Sequence, residues 1–186
     1  AQRAPAPAPA ARSPDVKLVP VTSGCDHWVV PAAARASASD LCRRLEAARL
    51  AALASASRLP GLLFLELFSG VGRVARALSL EGYAALAFEI QKGSEFDLTH
   101  PDVIRLICKW VEKGWIGGIW FGTPCTTWSV ACKPAIRSRE WIWGFDQIPE
   151  HRIPSLLLGN TTVRATARII RCALRSRVPC LLENPH

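Results

Sequence analysis

The 186-residue chain has a net charge of +8, because 23 lysines and arginines outweigh 15 aspartates and glutamates. Its length suits one domain, and its charge is compatible with a polyanionic partner. No apolar run approaches the ~20 residues that cross a bilayer, and seven cysteines without a CxxC pair argue against a secreted disulfide scaffold. Cys25 and His27 match no zinc-site spacing. We expect an intracellular protein, nuclear if eukaryotic, that uses neither a membrane nor a metal.

The first part of the chain, residues 1–37, is rich in Ala, Pro, Ser and Arg. Such a segment buries too little apolar surface to offset the entropy of ordering it, so we expect disorder there. Residues 38–60 are predicted to form one helix, capped by Ser39 or Asp40, and a linker broken at Pro-Gly. The chain contains no methionine, not even at its start, which favours a fragment or an excised domain.

From residue 61 onward, apolar strand-like runs alternate with helical runs. "LLFLELF", "YAALAFEI", "WIGGIWF" and "VPCLLEN" predict strands, and "RVARALSLEG" and "HPDVIRLICKWVEKG" predict helices between the first three. Such alternation is typical of an α/β fold with a parallel sheet and right-handed crossovers. We expect its strands at about 62–68, 84–90, 116–121 and 178–183, with a long loop over 133–158 and a basic helix over 161–177.

A glycine turn follows the first predicted strand. "GVGRVA" matches G-x-G-x-x-A, and Glu89 stands at the end of the second strand. Gly70 and Gly72 would let the backbone approach a ligand closely, and a carboxylate at that place can accept ribose hydroxyls. The pattern alone leaves open a nicotinamide cofactor, S-adenosylmethionine, or a turn that only packs a helix on a strand.

Five short motifs in order narrow this choice. "LELFSGVG" resembles the first motif of the cytosine-5 DNA methyltransferases, and "FEI", "FDL", "GTPCTTWS" and "LLENPH" resemble the second, third, Pro-Cys and Glu-Asn-Val motifs. The resemblance covers residues 62–186. It implies the Rossmann-like parallel sheet of the class I S-adenosylmethionine-dependent methyltransferases, with a partial catalytic domain over 61–186.

The resemblance also implies how the cofactor is held. S-adenosylmethionine would contact the turn after the first strand and the acidic residues that follow the second. Phe68 would lie against the adenine, the glycines would face the methionine part, and the acidic residues would take the ribose and the adenine amino group. The expected cofactor residues are Phe68, Ser69, Gly70, Gly72, Glu89 and Asp97.

Methyl transfer to carbon-5 of cytosine needs a thiolate that adds to carbon-6. The resemblance assigns this role to Cys125, in a loop stiffened by Pro124. Glu183 would place a protonated carboxyl group at ring nitrogen 3, where burial would keep it neutral. Asn184 would brace the Pro-Cys loop.

The expected substrate is DNA with a flipped base, and RNA is not excluded. Arg137 and Arg139 are the candidate phosphate contacts, with solvated surface arginines as the alternative. Trp128, Trp141 and Trp143 would either wedge against bases or pack internally, and packing is the simpler expectation.

Three departures from the family pattern keep alternatives open. Asp97 follows Glu89 too closely for the usual helix and strand, so either that layer is lost or Asp97 is not the adenine contact. Pro185 stands where the family has Val. Later strands and a base-reading region are missing from these residues, so we expect the chain alone to have little or no activity. The alternatives are a degenerate module that binds cofactor or nucleic acid without catalysis, and a nicotinamide-dependent oxidoreductase.

Overall fold

The computed structural model describes residues 18–20 and 37–183. The strands are β1 (Leu18–Pro20), β2 (Arg58–Leu67), β3 (Tyr83–Phe88), β4 (Ile116–Phe121), β5 (Gln147–Pro149) and β6 (Cys180–Leu182). The α-helices are α1 (Ala38–Ala54), α2 (Arg73–Leu80), α3 (Pro101–Glu112) and α4 (Ile153–Arg175). No helix within these described ranges is long and apolar enough to cross a membrane.

Four strands form one all-parallel sheet in the order β3-β2-β4-β6. A helix connects each strand to the next along the chain: α2 joins β2 to β3, α3 joins β3 to β4, and α4 joins β4 to β6. The predicted α/β fold with a parallel sheet is confirmed, and the arrangement is compatible with a Rossmann-like fold.

The main core forms where helices cover this sheet. Its largest fully buried side chains include Phe88, Trp110 and Phe121. Apolar residues of α1, α3 and α4 join those of β2, β3 and β4 in one cluster, while α2 packs on β2 and β3. Most residues of β4 and of the second half of β2 are buried, which explains why these strands read as apolar runs in the sequence.

Three features of the first 60 residues differ from expectation, one being that β2 begins at Arg58, within the predicted linker. Helix α1 is capped by Ser37, whose side chain accepts the Asp40 N–H at 3.2 Å, so the predicted caps Ser39 and Asp40 were wrong. Leu18–Pro20, inside the segment predicted to be disordered, forms β1 and pairs antiparallel with β5. For the rest of that segment before Ser37, the prediction lies outside the described residues.

Helix α4 begins at Ile153 rather than near residue 161, so the predicted loop over 133–158 is shorter and contains β5. Pro154 occupies the first turn of α4, where a missing N–H costs nothing. Gly159 lowers the helix propensity of this stretch, but it lies buried within the helix. Tertiary packing therefore extends the helix beyond what local sequence suggests.

The segment between β3 and α3 contains no additional strand. It forms two short 3-10 helices, Ile90–Lys92 and Ser94–Phe96. Phe96 packs edge-on against Phe88 with ring centroids 5.5 Å apart, which joins this segment to the main core. The strand expected between Glu89 and Asp97 in the family pattern is therefore lost, which is the first of the two alternatives left open by the sequence.

Glu66 links β2 to the start of α2. It is 5% exposed, and its Oε2 accepts the Ala75 N–H at 2.7 Å. Gly72, the residue before α2, offers no side-chain cap. The Glu66 carboxylate therefore satisfies one of the free N–H groups at the helix N-terminus and carries the charge that the helix dipole favours there.

Replacing Glu66 tests this contact. Glu66→Ala leaves the Ala75 N–H buried and unpaired, so we expect a loss of about 1–3 kcal/mol in the free energy of unfolding, measured by urea titration. Glu66→Gln keeps an oxygen acceptor and should lose clearly less. Equal losses in both variants would assign the effect to the charge rather than to the hydrogen bond.

Candidate functional site

The carboxyl ends of the parallel strands are joined by main-chain hydrogen bonds that continue past the strands. The Ser69 N–H donates to the Phe88 carbonyl, the Gly122 N–H to the Leu67 carbonyl, and the Glu183 N–H to the Phe121 carbonyl, each at 2.9 Å. The turn after β2, the residue after β3, the loop after β4 and the residue after β6 therefore lie along one edge. Ligands of open α/β sheets bind at this edge.

The glycine turn, residues 68–72, has an unusual backbone. Phe68, Gly70 and Gly72 all have positive φ, at 56°, 53° and 73°. For a bulky residue such as Phe68 this conformation costs roughly 1–3 kcal/mol, and such residues cluster at functional sites. The Phe68 side chain is partly buried and packs against the main core.

The two glycines of this turn meet different surroundings. A Cβ at Gly72 would approach Lys92 Nζ to 3.1 Å and Ala87 Cβ to 3.3 Å, so a side chain here would be crowded as well as strained by the positive φ. A Cβ at Gly70 would meet nothing within 4 Å. The turn is therefore closed against the sheet at Gly72 and open at Gly70.

Two polar groups stand beside the open part of the turn. Glu89 Oε2 accepts the Gly70 N–H at 2.9 Å, which ties the tip of β3 to the turn. Ser69 Oγ is buried without a hydrogen-bond partner among the described residues. A buried unsatisfied hydroxyl calls for a partner such as water or a ligand, so the turn fits a polar ligand that reaches both groups.

Asp97 has a local structural role. Its Oδ1 accepts the Thr99 N–H at 2.8 Å and the Thr99 hydroxyl at 2.6 Å. These two hydrogen bonds stabilise the turn that leads into α3, and they occupy one carboxylate oxygen of Asp97. A contact between Asp97 and a cofactor remains a prediction.

The loop after β4, residues 122–146, is called the Pro-Cys loop below. Cys125 is half-buried, Pro124 is exposed, and the Cys125 carbonyl accepts the N–H groups of Trp128 at 2.7 Å and Ser129 at 2.8 Å. The chain thus turns tightly just after Cys125. Thr123 is joined to Thr166 of α4 by a 2.8 Å hydroxyl contact, which fixes the start of the loop.

Arg137 organises the Pro-Cys loop from inside. Its guanidinium donates to the Thr127 carbonyl at 2.7 Å, the Thr127 hydroxyl at 2.9 Å, and the Ile142 carbonyl and Asn160 Oδ1 at 2.8 Å each. It also lies 3.7 Å from the centre of the Trp128 ring. Burial lowers the pKa of Arg137 to about 10. This side chain braces the loop, which leaves exposed Arg139 as the candidate phosphate contact of the two.

Sequence reasoning missed Gly159, which makes room for this loop on α4. A Cβ there would collide with Thr127 Oγ1 and approach Arg137 Nη2 to 3.2 Å. The Gly159 carbonyl accepts the Trp128 indole N–H at 3.1 Å. The need for glycine at position 159 comes from the contact between α4 and the loop. No local sequence pattern could have identified it.

Gly159→Ala tests whether this close contact positions the Pro-Cys loop. The added methyl group should displace Thr127 and loosen the loop, so the Cys125 thiol should react faster with a thiol reagent, as followed by peptide mass spectrometry. Thr127→Ala in the same chain removes the colliding oxygen and should restore part of the wild-type rate. Additive effects of the two changes would contradict direct contact.

The last two predicted catalytic residues, Glu183 and Asn184, lie at the end of the described chain or just beyond it. Glu183 follows the edge strand β6 and is exposed, so the burial expected for it is not seen. Asn184 lies outside the described residues. A cleft of about 410 Å³ lies between α1 and α3, and none of the predicted site residues lines it. No cluster of three or more potential metal ligands occurs within residues 18–20 and 37–183.

Comparisons of the chain with protein-family models, with curated proteins and with solved structures find no match. The carboxyl-edge geometry and the five sequence motifs are therefore the basis of the function proposed for the chain.

Proposed function

We propose that this chain carries the cofactor turn and the nucleophile of an S-adenosylmethionine-dependent DNA cytosine-5 methyltransferase. The observation that supports it best is the ladder of hydrogen bonds along the carboxyl edge. It brings the glycine turn, Glu89, the Pro-Cys loop and Glu183 to one side of the sheet. A methyl donor and a cytosine ring must meet at such a place for transfer to occur.

The strand order supports the class of fold. Doubly wound nucleotide-binding sheets have the order 3-2-1-4-5. With β2 counted as the first strand, β3, β4 and β6 take the second, fourth and fifth places, and the outer third strand is missing from the described sheet. The missing strand is the one that the short spacing between Glu89 and Asp97 leaves no room for.

On the cofactor side, the residues offer an open turn and polar partners. S-adenosylmethionine, when bound, supplies a methyl group on a positively charged sulfur. Gly70 leaves space for close approach, Ser69 Oγ offers an unpaired hydroxyl, and Glu89 has one oxygen not engaged by Gly70. In this proposal that oxygen accepts a ribose hydroxyl.

On the substrate side, the Cys125 thiolate would form a bond to carbon-6 of the cytosine. Carbon-5 would then bond to the methyl carbon while the methyl–sulfur bond breaks. Loss of the carbon-5 proton to a base and cleavage of the sulfur–carbon-6 bond restore the aromatic ring and the thiolate. Glu183 would hold a proton at ring nitrogen 3 during addition, as general acid catalysis requires.

Other observations favour the second candidate, a module that binds cofactor or nucleic acid without catalysis. Asp97 is engaged by Thr99, and the outer strand is absent from the described sheet. Glu183 is exposed rather than buried. A module of this kind would keep the glycine turn for binding, while the groups needed for methyl transfer would be incomplete.

Binding of S-adenosylhomocysteine tests the cofactor side. We expect it to raise the melting temperature of the wild-type chain, whereas a nicotinamide dinucleotide should not. Glu89→Ala should lose most of this shift, because a hydrogen bond to a charged group contributes about 1.5–3 kcal/mol. Glu89→Gln, which keeps an acceptor for the Gly70 N–H, separates ribose binding from support of the turn. An undiminished shift in Glu89→Ala would remove Glu89 from the site.

Trapping with DNA that contains 5-fluorocytosine tests the nucleophile. With S-adenosylmethionine present, fluorine blocks the final elimination, so a covalent adduct on Cys125 should be seen by mass spectrometry. A low yield is expected, since Glu183 is exposed rather than buried. Cys125→Ser should abolish the adduct, and Cys132→Ser, in the same loop, should not. Cofactor binding without any adduct would select the non-catalytic module.

A further inference from the structure

Helix α4 carries four arginines and no acidic residue over its 23 residues. Arg164, Arg168, Arg171 and Arg175 recur at helical spacing, so they lie on one side of the helix. Its buried residues, among them Leu156, Ala165 and Ile169, occupy the other side. This row, called the arginine stripe, is about 16 Å long at the rise of an α-helix.

The stripe is open to solvent along most of its length. Arg168, Arg171 and Arg175 are exposed, and none of them forms an ion pair with a residue in the described part of the chain. Uncompensated charges of one sign in a row repel one another, and a polyanion placed along them relieves that repulsion. The stripe therefore has the charge pattern of a phosphate-binding surface.

One end of the stripe meets an exposed aromatic segment. Trp141, Ile142 and Trp143, called the loop tip, are 47%, 48% and 41% exposed. Arg164 lies 4.6 Å from the centre of the Trp143 ring, which joins the stripe to the tip. Large apolar side chains gathered at the surface are typical of interaction sites.

The structure holds the loop tip in place. The Ile142 carbonyl accepts a hydrogen bond from Arg137 at 2.8 Å, and the Trp143 carbonyl accepts one from Asn160 of α4 at 2.9 Å. Trp143 also packs edge-on against Trp128. Because the backbone is fixed from inside, Trp141 is presented to solvent at little further entropic cost on binding.

We propose that the loop tip and the arginine stripe form a binding surface for one unpaired strand of nucleic acid. The phosphates follow the arginines, and an unstacked base lies on Trp141. Aromatic side chains beside a cationic track are the usual means of holding single strands without sequence preference. A purely apolar protein partner would not require the stripe, and a purely acidic one would not require the tip.

The choice of a nucleic acid partner rests on the proposed function, but the surface lies outside the cofactor turn and needs no methyl transfer. The binding test is therefore done with the whole chain and without cofactor. Fluorescence anisotropy of a labelled single-stranded oligonucleotide gives the affinity at several salt concentrations, with DNA and RNA of the same sequence compared.

The stripe is tested by a pair of charge-matched variants. Arg168→Gln with Arg171→Gln should lower the slope of log affinity against log salt by about 1.4, at roughly 0.7 for each phosphate contact. Arg73→Gln with Arg76→Gln removes the same charge from exposed positions of α2 and should leave the slope unchanged. Equal losses in both pairs would overturn the stripe, because net charge alone would then explain binding.

The tip is tested at Trp141, which is exposed enough to replace without disturbing the core. Trp141→Ala should weaken binding about tenfold or more, and Trp141→Phe should retain most of the affinity. With an abasic oligonucleotide of the same length, the two variants should bind equally. If Trp141→Leu binds the normal strand as well as Trp141→Phe does, the contact is apolar rather than stacking, and the proposal fails. Missing adducts in the trapping experiment would leave these results unaffected.

Discussion

The approach of Gly122 to the glycine turn determines the geometry of the carboxyl edge. Its N–H donates to the Leu67 carbonyl, and a Cβ at this position would stand 2.9 Å from the Phe68 carbonyl oxygen. Any other residue would push the start of the Pro-Cys loop away from the turn. Phe68, whose carbonyl Gly122 approaches, is the residue with the left-handed backbone conformation. The start of the loop that carries Cys125 therefore lies beside the glycine turn because Gly122 has no side chain.

Arg137 braces the loop that carries this cysteine, next to a small hydrophobic cluster that includes Ile136. Removing a guanidinium from water is unfavourable, and the lowered pKa of Arg137 reflects that cost. Four hydrogen bonds and the Trp128 ring offset it. Because these partners come from both ends of the loop and from Asn160 of α4, one side chain fixes the loop near Cys125 and the exposed tip together.

The sequence predicted those parts that depend on neighbouring residues. Apolar runs that end shortly before Gly70, Glu89 and Cys125 predicted the strands, because periodicity and turn chemistry are local. Contacts between segments distant in sequence could not be predicted from local patterns. Gly159 lowers helix propensity locally but is needed where α4 meets the Pro-Cys loop, and Arg137 has the sequence context of a surface arginine. In both cases the surrounding contacts, rather than the residue type, decide the structural role.

The exposed position of Glu183 connects the proposed chemistry to substrate binding. A carboxyl group that must hold a proton at the ring nitrogen needs water excluded from it, because burial favours the neutral form. Glu183 follows β6, an edge strand whose Leu181 and Leu182 are also exposed, at 63% and 52%. In the proposed function, the flipped base would cover this exposed carboxyl group. In the proposed function, base entry and the approach of ring nitrogen 3 to Glu183 would then be one coupled event.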